Sequence, residues 1–255
     1  MIRLIASDLD GTLLDARGQL PEGAFDRIRR LKEKGILFAA ASGRQYGNLQ
    51  RLFFPVRQEM AFLCENGAYI VAGEKRQSSL FPRAMAEEII RDILGAGMEL
   101  LISTPETSYL LSSGSKAYTD DIVYRLRNTA TIIDDPFAFA DSYIKLSGFH
   151  PESVAERAVP LQKKWQGQLH VDIAGAKWLD FTLANKGQGM RALSDALGVP
   201  LAEIAAFGDQ YNDLSMLKIV GHPYLMDTAP AGLKEKGFAP CRSVLETIDQ
   251  ILENT

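Results

Sequence analysis

Four short stretches of the 255-residue chain carry side chains able to do chemistry on an anion. They are Asp8-Leu9-Asp10-Gly11-Thr12, Ser42-Gly43-Arg44, Lys186-Gly187 and Gly208-Asp209-Gln210-Tyr211-Asn212-Asp213. Side chains two apart in a strand share a face, so Asp8 and Asp10 emerge together where the run Met1 to Ser7 breaks at Gly11. Two close carboxylates repel and need a cation, a shared proton or both. Oxygen-only ligands suit Mg²⁺, which keeps several waters and takes phosphate as a co-ligand. Four aspartates and one lysine would repel a bare phosphate dianion, and a bound divalent cation together with Lys186 reverses that balance. Taken alone, Asp-x-Asp-Gly is an ordinary solvated turn and Ser42 an ordinary helix N-cap. The case for a site lies in the convergence of all four stretches.

Convergence requires a particular kind of scaffold. Met1 to Ser7 reads as a short buried strand, and Ala24, Phe25, Ile28 and Leu31 then recur at helical spacing, with Pro21 placed for the helix start and Gly35 for its end. Ile36 to Ala41 is a continuous apolar run, short enough for a strand buried on both faces, and it ends in Ser42-Gly43 before a helix through Leu49, Leu52 and Phe53. Ala61 to Cys64 is a third such run, and Asn66-Gly67 after it signals a hairpin. Strand, helix, strand, helix, strand argues an α/β fold with a parallel sheet and helices on both faces. In such sheets ligands bind beyond the carboxyl ends of the strands, which is where Asp8 and Ser42 fall.

From Pro82 the texture changes. A helix over Met85 to Leu94 is followed by paired strands at Leu100 to Thr104 and Ser108 to Leu111, and a second helix passes through Ile122. Tyr143 to Phe149 alternates as a half-buried strand should. Pro151 opens a helix that carries Trp165, and strands follow at Leu169 to Ile173 and Trp178 to Thr182. Strands joined by hairpins suggest an antiparallel sheet with helices on one face. An inserted α+β domain over 82–183 is therefore expected within a core formed by 1–81 and 184–255. The core pattern resumes at Lys186, and the buried run Ile204 to Phe207 again ends in glycine plus carboxylates.

Composition narrows the partners. An apolar fraction of 46% can fill a substantial core, and a net charge of −4 without a Lys/Arg block argues against nucleic acid. Cys64 and Cys241 lie far apart without metal-ligand spacing, which fits buried thiols in a reducing compartment. No apolar run approaches ~18 residues and the N-terminus offers a single Arg3, so neither a membrane span nor a signal peptide is expected. A cytoplasmic monomer or small homo-oligomer with neither membrane nor nucleic acid as a partner is the expectation.

The four stretches, in this order, resemble the motifs of the haloacid dehalogenase superfamily. The insert between the second and third, preceded by Glu65-Asn66-Gly67-Ala68, resembles the Cof-type (class IIB) sugar-phosphatase branch. The resemblance implies a Rossmann-like core with an inserted cap and a Mg²⁺-dependent hydrolase of small phosphomonoesters. It implies Asp8 as the nucleophile that becomes an aspartyl-phosphate and Asp10 as general acid, then base. Mg²⁺ would take Asp8, the main-chain carbonyl of Asp10, and Asp209, with Asp213 close by; Leu9, Ser42, Gly43, Lys186 and Asn212 would meet the phosphoryl group. Met226-Asp227-Thr228-Ala229 departs from the Gly-Asn-Ala element usual in that place. A sugar phosphomutase, or a phosphate-binding switch module that does not hydrolyse, would use a similar acidic cluster.

Overall fold

The structure is a computed structural model and describes residues 1–138 and 142–254. The chain opens with β1 (Leu4–Ser7), α1 (Ala24–Glu33), β2 (Leu37–Ala41), α2 (Tyr46–Leu52), β3 (Met60–Cys64), β4 (Tyr69–Ala72) and β5 (Lys75–Ser78). Its middle holds α3 (Arg83–Gly95), β6 (Glu99–Ser103), β7 (Ser108–Leu111), α4 (Lys116–Asp120), β8 (Ala130–Ile133), β9 (Lys145–Phe149), α5 (Ala155–Trp165), β10 (His170–Ala174) and β11 (Trp178–Thr182). It closes with α6 (Lys186–Leu197), β12 (Ile204–Gly208), α7 (Leu214–Leu217), β13 (His222–Met226), α8 (Ala231–Lys234), β14 (Ala239–Cys241) and α9 (Val244–Glu253). Contacts group the chain into two compact units, one of Met1–Gly43, Leu49–Gln77 and Asn185–Thr255, the other of Arg44–Asn48 and Ser78–Ala184. Among the described residues no helix is long and apolar enough to cross a membrane.

In the first unit the strand order is β14-β13-β12-β1-β2-β3-β4-β5, parallel from β14 to β3 and antiparallel at β3–β4. The chain leaves β1 toward β2 on one side and returns as β12 on the other, so strand order reverses at β1. A crevice opens at such a reversal because the flanking connections diverge to opposite faces. Ser7 is in register with both Ala40 and Phe207, which brings the carboxyl ends of β1, β2 and β12 level. One face packs Leu4, Ala6, Ala39, Ala41, Ala61 and Ala206 beneath Met190 and Leu193 of α6 and Met216 and Leu217 of α7. The alternate residues Phe38 and Phe62 lie 6.3 and 6.4 Å from the ring of Phe53. Both faces are covered, which is why these strands read as unbroken apolar runs. The first helix differs from its expected start: it begins at Ala24, because Gly23 takes φ 79 and Pro21 is left in the preceding turn.

The second unit is a sheet of order β10-β11-β9-β6-β7-β8, antiparallel except for β7–β8, which run parallel. Ile89, Ile90 and Ile93 of α3 and Ala158, Leu161 and Trp165 of α5 cover Leu100, Ile102, Leu146, Leu179 and Phe181 on one face. The strand at 145–149 is buried throughout rather than half-buried. It lies between β6 and β11, and its second face meets an aromatic cluster in which Phe149 stands 5.8 Å from Tyr118 and 5.0 Å from Trp178. Pro160 sits inside α5 and removes one helix hydrogen bond there, a feature the apolar periodicity does not reveal.

Candidate active site

Asp8 is the first residue beyond β1, still held to the sheet by its N–H donating to Phe207 O at 2.9 Å. The chain then turns sharply: Asp10 is extended (φ −74, ψ 114) and Gly11 is left-handed (φ 85). Leu9 is wholly buried, so its side chain belongs to the core and only its backbone could face a ligand. The turn fits because Gly11 lacks a side chain, for a Cβ there would stand 2.4 Å from Asp209 Oδ2. Its neighbour Thr12 donates its hydroxyl to Asp209 Oδ1 at 3.0 Å, tying the β1 turn to the β12 end. Gly11→Ala should lower stability by about 1–3 kcal/mol from backbone strain alone, with the displaced Asp209 carboxylate adding to it. Urea denaturation measures this, and an unchanged midpoint would contradict the close approach.

Lys186 is the first residue of α6. The helix is fixed there by a capping box, in which Asn185 Oδ1 accepts from Gln188 N–H at 2.9 Å and Gln188 Oε1 accepts from Asn185 N–H at 2.9 Å. A cation at the positive end of a helix dipole is unfavourable, so this lysine must be held by something stronger. Its buried ammonium donates to Asp8 Oδ1 at 2.5 Å and Asp213 Oδ1 at 2.6 Å. Burial alone would lower its pKa, but attraction to Asp213 and Asp8 outweighs burial and holds it above the ordinary lysine value. Asp8 is pushed up to about 7, chiefly by burial, with Lys186 opposing and Asp213 and Asp209 reinforcing the rise. Asp209 is raised as well, again mainly by burial.

Asp209 and Asp213 belong to the turn after β12. Asp213 Oδ2 accepts the N–H groups of Asp209 and Gln210, each at 3.0 Å, and the Gln210 side-chain amide donates to Asp209 Oδ2 at 3.0 Å. Asp213 is thus engaged at both oxygens, which suits it to orienting Lys186 and the turn. One oxygen from each of Asp8, Asp209 and Asp213 lies within 4.8 Å of the others, and the Asp10 carboxylate is exposed and outside this group. Three buried carboxylates face one ammonium. The donor set is all oxygen and short of positive charge, which fits a hard divalent cation.

Ser42 is buried one step beyond β2, where its N–H donates to Leu63 O at 2.8 Å, and Gly43 follows it. Asn212 is exposed, and its amide donates to Asn66 Oδ1 at 3.4 Å. Arg44 groups with the second unit, whereas Ser42 and Gly43 before it group with the first. Trp178 is an aromatic core residue whose indole N–H donates to Asp121 Oδ2 at 2.7 Å. Thr12 and Gln210, which bond Asp209, and Asn66, which bonds Asn212, lie within the four motifs or the hairpin turn but are not among the side chains the sequence marks out for chemistry. Each is a neutral polar residue beside a charged or glycine position, and nothing in spacing alone singles it out.

A strand-order reversal crowned by acidic turns and a buried lysine is a site suited to holding a divalent cation and an anion together. The family profile described as haloacid dehalogenase-like hydrolase matches residues 5–241, and the chain belongs to that family, in its Cof-type branch. Among curated relatives, the 5-amino-6-(5-phospho-D-ribitylamino)uracil phosphatase YbjI of Escherichia coli is 27% identical, covering 99% of this chain and 97% of its own. The HMP-PP phosphatase of Cronobacter sakazakii is 27% identical over 90% of this chain and 85% of its own. The crystal structure of a haloacid dehalogenase-like hydrolase from Bacteroides thetaiotaomicron superposes with a TM-score of 0.85 at 20% identity, covering 98% of this chain and 100% of that one, and so shares its fold.

Proposed function

We infer that the protein is a Mg²⁺-dependent phosphatase that hydrolyses small phosphomonoesters, sugar phosphates among them, through an aspartyl-phosphate. The observation that carries this reading is the meeting of Asp8, from the start of the chain, with Asp209 and Asp213, from near its end, Lys186 being paired with Asp8 and Asp213. The names of the relatives support it, because the E. coli protein is named for a substrate with a phosphorylated ribityl chain. The first unit would be the catalytic core and the second the cap. Buried Cys64 and Cys241 without a disulfide agree with a cytoplasmic setting.

The residues divide the work as follows. A carboxylate oxygen of Asp8 attacks phosphorus, the bond from phosphorus to the ester oxygen breaks, and Asp10 gives its proton to the departing alkoxide. Water then attacks the same phosphorus, Asp10 takes its proton, and the bond to Asp8 breaks to release inorganic phosphate. Lys186 holds Asp8 in place and, with Ser42, the Gly43 N–H and Asn212, meets the phosphoryl oxygens. Asp8, Asp209, the Asp10 carbonyl and, behind them, Asp213 would hold Mg²⁺, which supplies positive charge where negative charge gathers.

Steady turnover of p-nitrophenyl phosphate with release of inorganic phosphate tests the reading. A switch module would stop after one event per chain, and a phosphomutase would require a bisphosphate activator. Chelation should abolish turnover and Mg²⁺ should restore it.

The raised Asp8 adds a pH dependence. Below about 7 this carboxyl holds a proton that a cation must displace. Above that value the metal-free protein has lost the stability that protonation gave, and Mg²⁺ regains it. Mg²⁺ affinity followed by calorimetry should fall as pH drops from 8 to 6, approaching tenfold per unit at the acid end. A flat profile would exclude Asp8 as a ligand.

A further inference from the structure

The turn between β3 and β4 plays no part in the steps above, yet its backbone is unusual. Glu65 (φ 50), Asn66 (φ 56) and Gly67 (φ 99) are three successive residues in the left-handed region, which residues other than glycine avoid, asparagine least. The turn is also seated with little clearance. A Cβ on Gly67 would stand 2.3 Å from Asn185 O, and one on Gly189 would stand 2.6 Å from the Gly67 Cα, so its backbone lies flush on the first turn of α6, which carries Lys186.

Within this turn Asn66 reaches three other parts of the chain. Its N–H donates to Ser42 O at 3.1 Å. Its side-chain amide lies against Gly43, where a Cβ would stand 3.1 Å from Oδ1 and 3.2 Å from Nδ2. Its Oδ1 accepts from Asn212 Nδ2 at 3.4 Å. Asn66 thus adjoins three of the groups assigned to the phosphoryl group, Ser42 through its backbone N–H and Gly43 and Asn212 through its half-buried amide. A short side chain held by an uncommon backbone conformation has few alternative positions, so its neighbours inherit a defined geometry.

We propose that Asn66 is the positioning residue of the phosphoryl cradle: its amide, set between Gly43 and Asn212, places the Ser42-Gly43 turn and the Asn212 amide at the spacing a tetrahedral phosphoryl group needs. The proposal rests on the reading of Ser42, Gly43 and Asn212 as phosphoryl contacts. It assigns no contact with the metal, because the carboxylate cluster is bonded through Lys186, Thr12 and Gln210 instead.

Two variants separate positioning from mere turn-making. Asn66→Gly keeps the left-handed backbone and removes the amide. Asn66→Asp keeps the backbone preference and an acceptor for Asn212, but sets negative charge beside Gly43. Binding of inorganic phosphate in saturating Mg²⁺, followed by calorimetry, should weaken in the order wild type, Gly, Asp, with the glycine variant down by roughly three- to tenfold. Its kcat/KM on p-nitrophenyl phosphate should fall by about tenfold to a hundredfold, more through kcat than through KM, while Mg²⁺ affinity without phosphate stays within about twofold. A turn-only role makes the glycine variant bind phosphate as the wild type does, whatever the added charge of the aspartate variant does, and that result overturns the proposal. A parallel loss of Mg²⁺ affinity overturns it as well, by showing general damage. A wild type that binds phosphate without turnover sinks the phosphatase reading while the binding series still decides Asn66; a wild type that binds no phosphate sinks both.

Discussion

Asp8→Asn is expected to lower kcat by on the order of 10⁵-fold or more, because an amide neither attacks phosphorus nor forms an acyl phosphate that water can cleave. The fold should survive. The variant would keep the backbone hydrogen bond from this position to Phe207, and Lys186 would keep Asp213 at 2.6 Å. Without metal it should be at least as stable as wild type above pH 7, since the carboxylate it replaces is pushed up to about 7 by burial and loses its stabilising proton as pH rises. Single-turnover and steady-state assays with urea denaturation measure both. Residual activity above about 1% in a folded variant would rule out covalent catalysis at Asp8.

The second large effect belongs to Lys186. Lys186→Met leaves a side chain of similar length with no charge, and the buried carboxylates of Asp8 and Asp213 lose their shared partner. Breaking a buried ion pair from one side costs about 3–5 kcal/mol, because the remaining charge has neither water nor counterion. The loss should depend on pH with a definite sign. Without the ammonium the influence holding Asp8 down is gone, so its pKa rises above about 7 and the protein recovers part of the deficit as pH falls and the carboxyl takes up a proton. Phosphate affinity should fall together with stability at pH 8, and Mg²⁺ should restore more stability to the variant than to wild type. A variant as stable as wild type at pH 8 would show that the carboxylates are held by something other than Lys186.

How much of this is readable from the chain alone can be judged residue by residue. The strands at 37–41, 60–64 and 204–208 are legible because burial on both faces demands continuous apolar residues, and loops cannot tolerate that. The edge strands β5 and β14 escape the pattern, since Lys75 to Ser78 is mostly exposed and Ala239 to Cys241 is too short to show a period. The α1 start is misread because Pro21 is a good first helical residue in isolation, and the left-handed Gly23 overrides it. Strand 145–149 looks half-buried because Lys145 and Ser147 are polar, yet a central position in its sheet buries polar and apolar residues alike.

The amino-acid sequence by itself determined which residue types could bind a divalent cation and a phosphoryl group, and that they fall at strand ends, because periodicity and turn chemistry are local properties. Tertiary structure alone decided that Asp8 and Asp213 share one ammonium, that Thr12 and Gln210 steady Asp209, and that Asn66 adjoins Gly43 and Asn212. These are contacts between distant segments, chosen by the register of β1 against β2 and β12, and no spacing along one chain encodes which side chains that register will bring within 3 Å.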